Sequence, residues 1–186
     1  FGGQGAPLVP FFHHAVARHL GAGAPLAFLN LGGVGNLTWV DPQRADPSHA
    51  GVCLAFDTGP ANAPLNDLML ARRGVAMDAG GELSQSGRPD PAVIARFLEH
   101  PYFRRMPPKS LDRNAFDGWL DVAHLSDADA AATLSAAAVA GVVQGAGFFP
   151  RPVAQVLVAG GGRLNAAIMA GLLAGLGLPV RAVEEV

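Results

Sequence analysis

Three strand-like segments follow one another between residues 26 and 57, before the chain shows any alternation of strands with helices. The apolar runs of LAFLNLGGVGNLTWV flank a glycine-rich bend at Gly32 to Gly35, which predicts a β-hairpin. The apolar run VCLAF predicts a third strand, which ends at Asp57. A doubly wound domain would alternate strand and helix from its start, so this order predicts a mixed sheet that opens in three sequential strands.

Helical segments and a late strand–helix–strand unit complete the predicted α/β fold. Helical spacing or helix boundaries occur in PLVPFFHHAVARHL, APLNDLMLARRG, PAVIARFLEH and DADAAATLSAAAVAGVVQGAG, the last with Asp127 or Asp129 as its expected cap. After them come the strand QVLVA, the loop GGGRLN, a helix with Leu164, Ile168 and Leu172 at successive i+4 steps, and the strand PVRAVE. The stretch from 75 to 125 is rich in glycine, proline and charge and interrupts this order as an insert.

The amino-acid composition indicates which domain organisation, partners and location to expect. Half of the 186 residues are apolar, which favours one compact domain with a substantial core. The formal net charge is only -2 and no extended basic patch occurs, so nucleic acid is not expected as a partner. No uninterrupted apolar stretch is long enough to span a bilayer and the first residues lack the pattern of a signal peptide, so we expect a cytoplasmic location and no membrane partner.

The cysteine and histidine content gives no sign of a metal centre. Cys53 is the single cysteine, which excludes an intrachain disulfide and a cysteine-based metal site and predicts a buried, inert thiol. His13, His14 and His19 are close in sequence, but no two of them are four residues apart, as the helical zinc motif requires. Surface histidines are therefore the expected state.

The most specific chemical signal is DTGPAN at residues 57 to 62. The preceding strand is apolar throughout, which is typical of a strand with both faces covered inside an α/β sheet. Burial of a bare carboxylate is costly, so Asp57 is expected to open into a cleft where a cation, a hydroxyl or backbone amides can meet it. Thr58 and Gly59 place a hydroxyl and a turn glycine beside that carboxylate.

Two further loops are rich in glycine, NLGGVGN at 30 to 36 and AGGGRLN at 159 to 165. Glycine allows positive φ and a close approach of backbone N–H groups to a phosphate, so convergence of the three loops would form a nucleotide cleft. Each glycine-rich loop also has an ordinary explanation, as a hairpin turn or as a tight strand-to-helix turn. Lys109 in PPKS likewise allows two interpretations, a ligand of a phosphate or sugar oxygen or an exposed loop lysine.

Together these stretches closely resemble the anhydro-N-acetylmuramic acid kinase family, bacterial enzymes of peptidoglycan recycling with the actin-like, two-lobed kinase fold. The resemblance runs in family order over nearly the whole chain and is carried by GGQGAPLVPFFH, NLGGVGNLTWV, FDTGPANAPLNDL, HPYFRRMPPKSLDR, DAAATLSAAAVA and VLVAGGGRLNAAIMAGL. Ala61 departs from the family pattern, where a glycine is usual, and so does Gly80, where an aspartate is common. The resemblance implies that residues 1–186 are the C-terminal lobe of an actin-like sugar kinase, with an insert around 75 to 125.

The same resemblance implies a site for ATP and Mg²⁺, with Asp57 holding the metal through water. The residues expected to face the nucleotide are Gly32, Gly33, Asn36, Asp57, Thr58, Gly59, Gly160, Gly161, Gly162 and Asn165. Lys109 is a weaker candidate for binding the sugar. The implied reaction opens the 1,6-anhydro ring of anhydro-N-acetylmuramate with water and phosphorylates O6 from ATP, giving N-acetylmuramate 6-phosphate.

The resemblance further implies that the family sequence extends beyond both ends of this chain. The water-activating base is expected upstream of Phe1, so no residue of this chain is expected to be catalytic. The chain alone should therefore be inactive. The resemblance is also compatible with a homodimer. Two other functions stay open: a non-catalytic actin-like module that senses a sugar, and a dinucleotide-binding oxidoreductase built on LGGVGN. The oxidoreductase is disfavoured because that loop leads into the strand-like LTWV rather than into a helix.

Overall fold

The computed structural model describes residues 9–112 and 115–186, which form a five-stranded sheet with helices on both faces. The strands are β1 (Leu26–Leu31), β2 (Val34–Val40), β3 (Cys53–Pro60), β4 (Val156–Ala159) and β5 (Val180–Ala182). Their order in the sheet is β3-β2-β1-β4-β5; β1, β2 and β3 pair antiparallel, whereas β4 pairs parallel with both β1 and β5. The predicted mixed sheet with three sequential neighbouring strands is confirmed. Because β2 follows the glycine-rich bend, the chain has no dinucleotide-binding strand–loop–helix unit at LGGVGN.

The helices of the described residues are α1 (Val9–His19), α2 (Asn62–Arg73), α3 (Glu82–Ser86), α4 (Pro91–Leu98), α5 (Asp127–Ala146) and α6 (Ala166–Leu176). The first predicted helix also included residues 7 and 8, which lie outside the described residues. Gly74 ends α2 in the left-handed conformation (φ 66°), as predicted. The predicted cap of α5 is wrong: the Ser126 hydroxyl accepts the N–H of Asp129 at 3.1 Å and so caps the helix.

Two predicted boundaries also differ from the structure. β3 does not end at Asp57 but continues to Pro60, with Thr58 as an additional residue opposite the step from Gly35 to Asn36. This β-bulge lets the pairing resume beyond the aspartate. Leu164 lies in a 3₁₀ turn before α6 and is exposed, so its predicted place on the buried helix face is wrong.

Both faces of the sheet are covered, which is why its strands are apolar rather than alternating. On one face the buried residues of β1 and β2 pack with α5 and α6: Leu29, Leu37, Trp39, Val142, Ile168 and Leu172. On the other face they pack with α1: Ala17, Leu26, Phe28 and Val40. No helix among the described residues has the length and apolar character needed to cross a membrane.

The helix α1 and its neighbours correct two expectations about single side chains. His14 is buried rather than on the surface, and its Nε2 lies 2.9 Å from the carbonyl oxygen of Arg44. Cys53 is only partly buried at the start of β3, with Sγ 3.8 Å from the carbonyl oxygen of Pro10. Burial raises the pKa of the Cys53 thiol to about 11, which keeps the thiol protonated and agrees with the inert state expected for it.

Candidate functional site

A row of polar side chains crosses the three leading strands where β1 approaches its end. Asn30 pairs with Asn36 across the β1–β2 hairpin, and Asn36 pairs with Asp57 across β2 and β3. The Nδ2 atom of Asn36 donates a hydrogen bond to Oδ1 of Asp57 at 3.0 Å. The sequence interpretation included Asn36 and Asp57 but missed Asn30, which the two-residue period of β1 places on the same face as Phe28.

The Asp57 carboxylate has a defined orientation because both of its oxygens accept hydrogen bonds. Oδ2 accepts the backbone N–H of Leu111 at 2.8 Å, opposite the contact of Oδ1 with Asn36. The side chain is partly buried, which agrees with the expectation that it opens towards solvent in a cleft. Each oxygen can accept a further hydrogen bond, so the group can also hold water around a cation.

The three predicted loops converge around Leu31, at the end of β1. The Nδ2 atom of Asn62, which follows DTGPA, donates to the carbonyl oxygen of Leu31 at 2.9 Å. A Cβ atom added to Gly162 would lie 2.5 Å from Cβ of Leu31 and 3.1 Å from Oδ1 of Asn62. The loop at 159 to 165 therefore packs directly on the other two, although it is distant from them in sequence.

The glycines of the two glycine-rich loops have different backbone conformations. Gly160 has φ +77°, and a Cβ there would lie 2.6 Å from both the carbonyl oxygen of Leu31 and Oδ1 of Asn30. Neither Gly32 nor Gly33 has a positive φ, so the expectation of positive φ at the hairpin bend is wrong. The bend also comprises only these two residues, since Val34 and Gly35 already belong to β2.

The hairpin carbonyls meet the beginning of α2. The carbonyl oxygen of Gly33 accepts the N–H of Ala61 at 2.9 Å, and that of Gly32 accepts the N–H of Asn62 at 3.0 Å. The first amides of α2 are therefore already bonded within the chain. Ala61 is buried at this contact, where the family pattern has a glycine.

Three of the predicted nucleotide-facing residues have structural contacts that point elsewhere. Thr58 is buried, and its hydroxyl faces Gly35 on the side of the sheet that α5 covers. Gly59 (φ +137°) faces the rings of Phe97 and Phe103. Asn165 is buried and caps α6, since its Oδ1 accepts the N–H of Ile168 at 3.1 Å. Their contact with nucleotide stays a prediction, which these side-chain contacts do not support.

Arg163 is a further residue of this site that the sequence interpretation missed. Its Nη1 atom donates to the carbonyl oxygen of Gly160 at 2.8 Å, and its Nε lies 2.9 Å from Oε1 of Glu184. The guanidinium therefore joins the glycine loop to the turn after β5. A single arginine in a glycine-rich stretch is the sequence feature that could have indicated Arg163 as a site residue. Its partner Glu184 lies 21 residues away, so the local sequence does not reveal the ion pair.

The structure places Lys109 in the interior, so its interpretation as an exposed loop lysine is wrong. The residue is 8% exposed, and Nζ donates to the carbonyl oxygen of Tyr102 at 3.2 Å. Nζ also lies 4.7 Å from the ring centroid of Tyr102 and 4.5 Å from that of Phe148. Burial lowers the pKa of Lys109, and the nearby charge of Arg105 lowers it further. A direct contact with sugar stays a prediction that this burial disfavours.

The carboxylates of the site limit the kind of metal centre that it can form. The residues that the structure describes include no group of three or more His, Cys, Asp or Glu side chains that could hold an ion. A hydrated Mg²⁺ keeps several waters and takes its other ligands from phosphate oxygens, so it needs only one or two carboxylates from the protein. The single carboxylate of Asp57 is compatible with such an ion, and its contact with Mg²⁺ stays a prediction. A cavity of about 170 Å³ adjoins the end of β3 and is lined by Pro60, Ala63, Pro64, Asp67 and residues 116–118 and 120.

Comparison with known proteins decides the family. The sequence pattern of the family described as anhydro-N-acetylmuramic acid kinase matches residues 1–184. The chain belongs to the anhydro-N-acetylmuramic acid kinase family. A curated anhydro-N-acetylmuramic acid kinase of Cereibacter sphaeroides is 64% identical over 185 residues, which are 99% of this chain and 50% of that protein. One of Ruegeria sp. is 55% identical over 186 residues, 100% of this chain and 50% of that protein.

The chain thus spans about half the length of the curated relatives it matches. Its fold resembles a solved structure titled activator of the 2-hydroxyisocaproyl-CoA dehydratase from Clostridium difficile with bound ADPNP. The TM-score is 0.50 at 12% identity, with 87% of this chain and 54% of that chain covered. The fold is that of the actin-like ATPases, as the resemblance implied.

Proposed function

We propose that this chain is the C-terminal, nucleotide-facing lobe of a cytoplasmic kinase that opens the 1,6-anhydro ring of anhydro-N-acetylmuramate with water and phosphorylates O6 from ATP. The product is N-acetylmuramate 6-phosphate, an intermediate of peptidoglycan recycling. Family membership over residues 1–184 supports the reaction class. The chain covers half of its relatives, so the proposal assigns the water-activating base to none of its residues.

The observation that carries the proposal is the oriented carboxylate of Asp57, which is bonded to Asn36 of the hairpin loop, in the row of polar side chains that begins at Asn30 beside Gly160. Phosphoryl transfer depends mainly on positioning and on stabilisation of negative charge. The Asp57 carboxylate, held by Asn36 and by the N–H of Leu111, would bind the waters of a hydrated Mg²⁺. When bound, that ion neutralises charge on the phosphates. The backbone of residues 160–162, next to Leu31, would border the nucleoside.

The test uses a chimera in which this chain replaces the matching half of the Cereibacter sphaeroides relative. Mass spectrometry follows conversion of the 1,6-anhydro sugar to sugar phosphate with Mg-ATP. Asp57→Asn should lower kcat by about 10- to 100-fold, the usual cost of losing a group that orients a metal through its shell. Asp46→Asn is the matched control, because Asp46 lies in the exposed β2–β3 loop at the opposite end of β2 and should leave kcat unchanged.

A kcat of the Asp57→Asn chimera equal to that of the unmodified chimera would contradict the proposed role of Asp57 in holding Mg²⁺. Absence of sugar phosphate with the unmodified chimera, despite product from the native relative, would instead favour the non-catalytic sugar-sensing module. The 186-residue chain alone should form no product, since it holds only one set of the loops that phosphoryl transfer requires. Sustained turnover by the chain alone would show that the base lies within it.

A further inference from the structure

A segment from Tyr102 to Leu111, here called the strap, runs along the outer edge of β3. Within the part of the chain that the structure describes, β3 is the last strand on its side of the sheet, so its outer backbone groups have no strand partner there. The strap supplies partners at one residue. The N–H of Asp57 donates to the carbonyl oxygen of Lys109 at 3.0 Å, and the carbonyl oxygen of Asp57 accepts the hydroxyl of Tyr102 at 2.6 Å.

The strap therefore holds Asp57 by three hydrogen bonds, two on its backbone and one, from Leu111, on its carboxylate. The backbone contacts set the path of β3 at the bulge, where the pairing with β2 is irregular. The contact from Leu111 sets the carboxylate itself. Any shift of the strap relative to β3 would rotate or release the group that faces the proposed metal.

Lys109 fastens the strap to the rest of the lobe. Its ammonium lies between the rings of Tyr102 and Phe148, and Phe148 belongs to the segment that follows α5. Attraction between a cation and two ring faces is strong where the ammonium is shielded from water. The bond from Nζ to the carbonyl oxygen of Tyr102 joins the two ends of the strap that contact Asp57. Lys109 is also the single lysine of the chain.

We propose that Lys109 is a positioning residue that holds the Asp57 carboxylate in place through the strap and does not contact the sugar. This inference rests on the proposed role of Asp57 in binding Mg²⁺. The proposal explains why the Lys109 ammonium is buried near Asp57. The buried ammonium fixes the strap, and the strap fixes the carboxylate that the proposed chemistry requires at a set position. The lowered pKa of Lys109 follows from that burial and matches an ammonium that is enclosed rather than presented to a ligand.

The first test uses the 186-residue chain and needs no activity. Lys109→Met keeps the length of the side chain and its ring contacts but removes the ammonium. Amide hydrogen exchange, read residue by residue by NMR, should become about tenfold faster at Asp57 and Leu111. Arg105→Met removes a cation from an exposed position of the same strap and should leave both rates unchanged. Unchanged rates in Lys109→Met, or equal acceleration in both variants, would overturn the inference.

The second test measures kinetics in the chimera. Lys109→Met should raise the Mg²⁺ concentration for half-maximal rate by about tenfold and lower kcat, with the KM for the anhydro sugar unchanged. A raised sugar KM with an unchanged Mg²⁺ requirement would overturn the inference and restore Lys109 as a sugar ligand. If the unmodified chimera forms no product, the proposed function fails while the exchange experiment still decides the role of Lys109.

A milder variant covers the case in which Lys109→Met does not fold. Tyr102→Phe retains the ring beside Lys109 and removes only the hydroxyl that bonds to the carbonyl oxygen of Asp57. Its amide exchange at Leu111 should also accelerate, and its Mg²⁺ requirement should rise with the sugar KM unchanged. Exchange and Mg²⁺ requirement equal to those of the unmodified protein would contradict the proposed link between the strap and Asp57.

Discussion

The two glycine-rich loops look alike in sequence but differ in what their glycines do. In the hairpin bend, a Cβ atom on Gly32 would have no neighbour closer than 3.7 Å. In the loop after β4, a Cβ atom on Gly160 would meet the backbone of Leu31 at 2.6 Å, and φ is +77°. Position 32 has room for a side chain, whereas position 160 requires glycine because it packs on the end of β1. The number of glycines in a loop therefore does not show which of them the fold requires for close packing.

The largest effect is expected from Gly160→Ala. The new methyl group would collide with the carbonyl oxygen of Leu31 in a backbone conformation that side chains rarely adopt. Strain and crowding together should lower the free energy of unfolding by about 2–4 kcal/mol. Urea denaturation of the 186-residue chain, followed by circular dichroism, measures this loss. If Gly160→Ala lowers the free energy of unfolding by less than an ordinary surface substitution does, the loop after β4 is not in close contact with the end of β1.

Lowering the pH tests whether the difference in stability between the Gly160→Ala and Gly32→Ala variants is independent of the rest of β1. His13 stacks on Phe28, in the middle of that strand, with ring centroids 4.4 Å apart, and burial lowers the pKa of His13 to about 4. Its folded-state pKa lies below the unfolded value of 6.5, so its contribution to stability is present above pH 6.5 and is lost as pH falls towards 4.

This loss should be about 1–2 kcal/mol, less than the full shift implies because the ring is partly exposed. The unmodified chain and the Gly160→Ala and Gly32→Ala variants should lose equal stability between pH 6.5 and 4, since His13 contacts neither loop. The His13→Phe variant should lose less over the same range. Urea midpoints collected at half-unit pH steps provide the comparison, and a flat profile in the unmodified chain would contradict the assignment to His13.

A smaller effect is expected at the end of the second loop. Asn165→Ala removes the cap on the N–H of Ile168 and should lower the free energy of unfolding by about 1 kcal/mol. Ser126→Ala at the start of α5 is the matched control, because it removes the same kind of cap far from the loops. Similar losses, measured by urea denaturation, would assign a purely structural role to the Asn165 side chain. The Asn165 side chain also packs directly against Gly81, where an added Cβ atom would meet Oδ1 of Asn165. A much larger loss in Asn165→Ala would indicate that this packing contributes as well.

The smallest effect is expected from Gly32→Ala in the hairpin bend. Since its nearest neighbours would be 3.7 and 3.8 Å from the new Cβ, the free energy of unfolding should change by no more than about 0.5 kcal/mol. The same denaturation series gives the value. A loss comparable to that of Gly160→Ala would erase the distinction between the loops and imply that the bend is under strain.

The local patterns of the sequence predicted much of the fold. The three leading strands, the end of α2 at Gly74 and the partial exposure of Asp57 all follow from short stretches of chain. Apolar runs, turn residues and helix caps act within a few residues, so they can be interpreted without knowledge of the rest. The continuation of β3 past Asp57 could not be predicted in this way, because the bulge at Thr58 depends on pairing with β2.

The candidate site was predicted in its parts but not in its arrangement. Asn36 bonds to Asp57, and the loop at 160–162 packs on Leu31 at the end of β1. Thr58 and Asn165 instead use their side chains inside the fold. Asn30 and Arg163 were missed because each is assigned by a partner on another element. Their local surroundings carry no signal of that partner.

The sequence by itself determined the three sequential neighbouring strands, the family and the presence of an aspartate after an apolar run. Only the tertiary structure decided what surrounds that aspartate. Lys109, which the sequence presents as a loop lysine, is enclosed by the rings of Tyr102 and Phe148 because the strap covers the free edge of β3. Burial and edge pairing are properties of the whole packed chain, since they join residues far apart in the sequence, such as Asp57 and Tyr102, which are 45 positions apart. No local pattern of side chains encodes them.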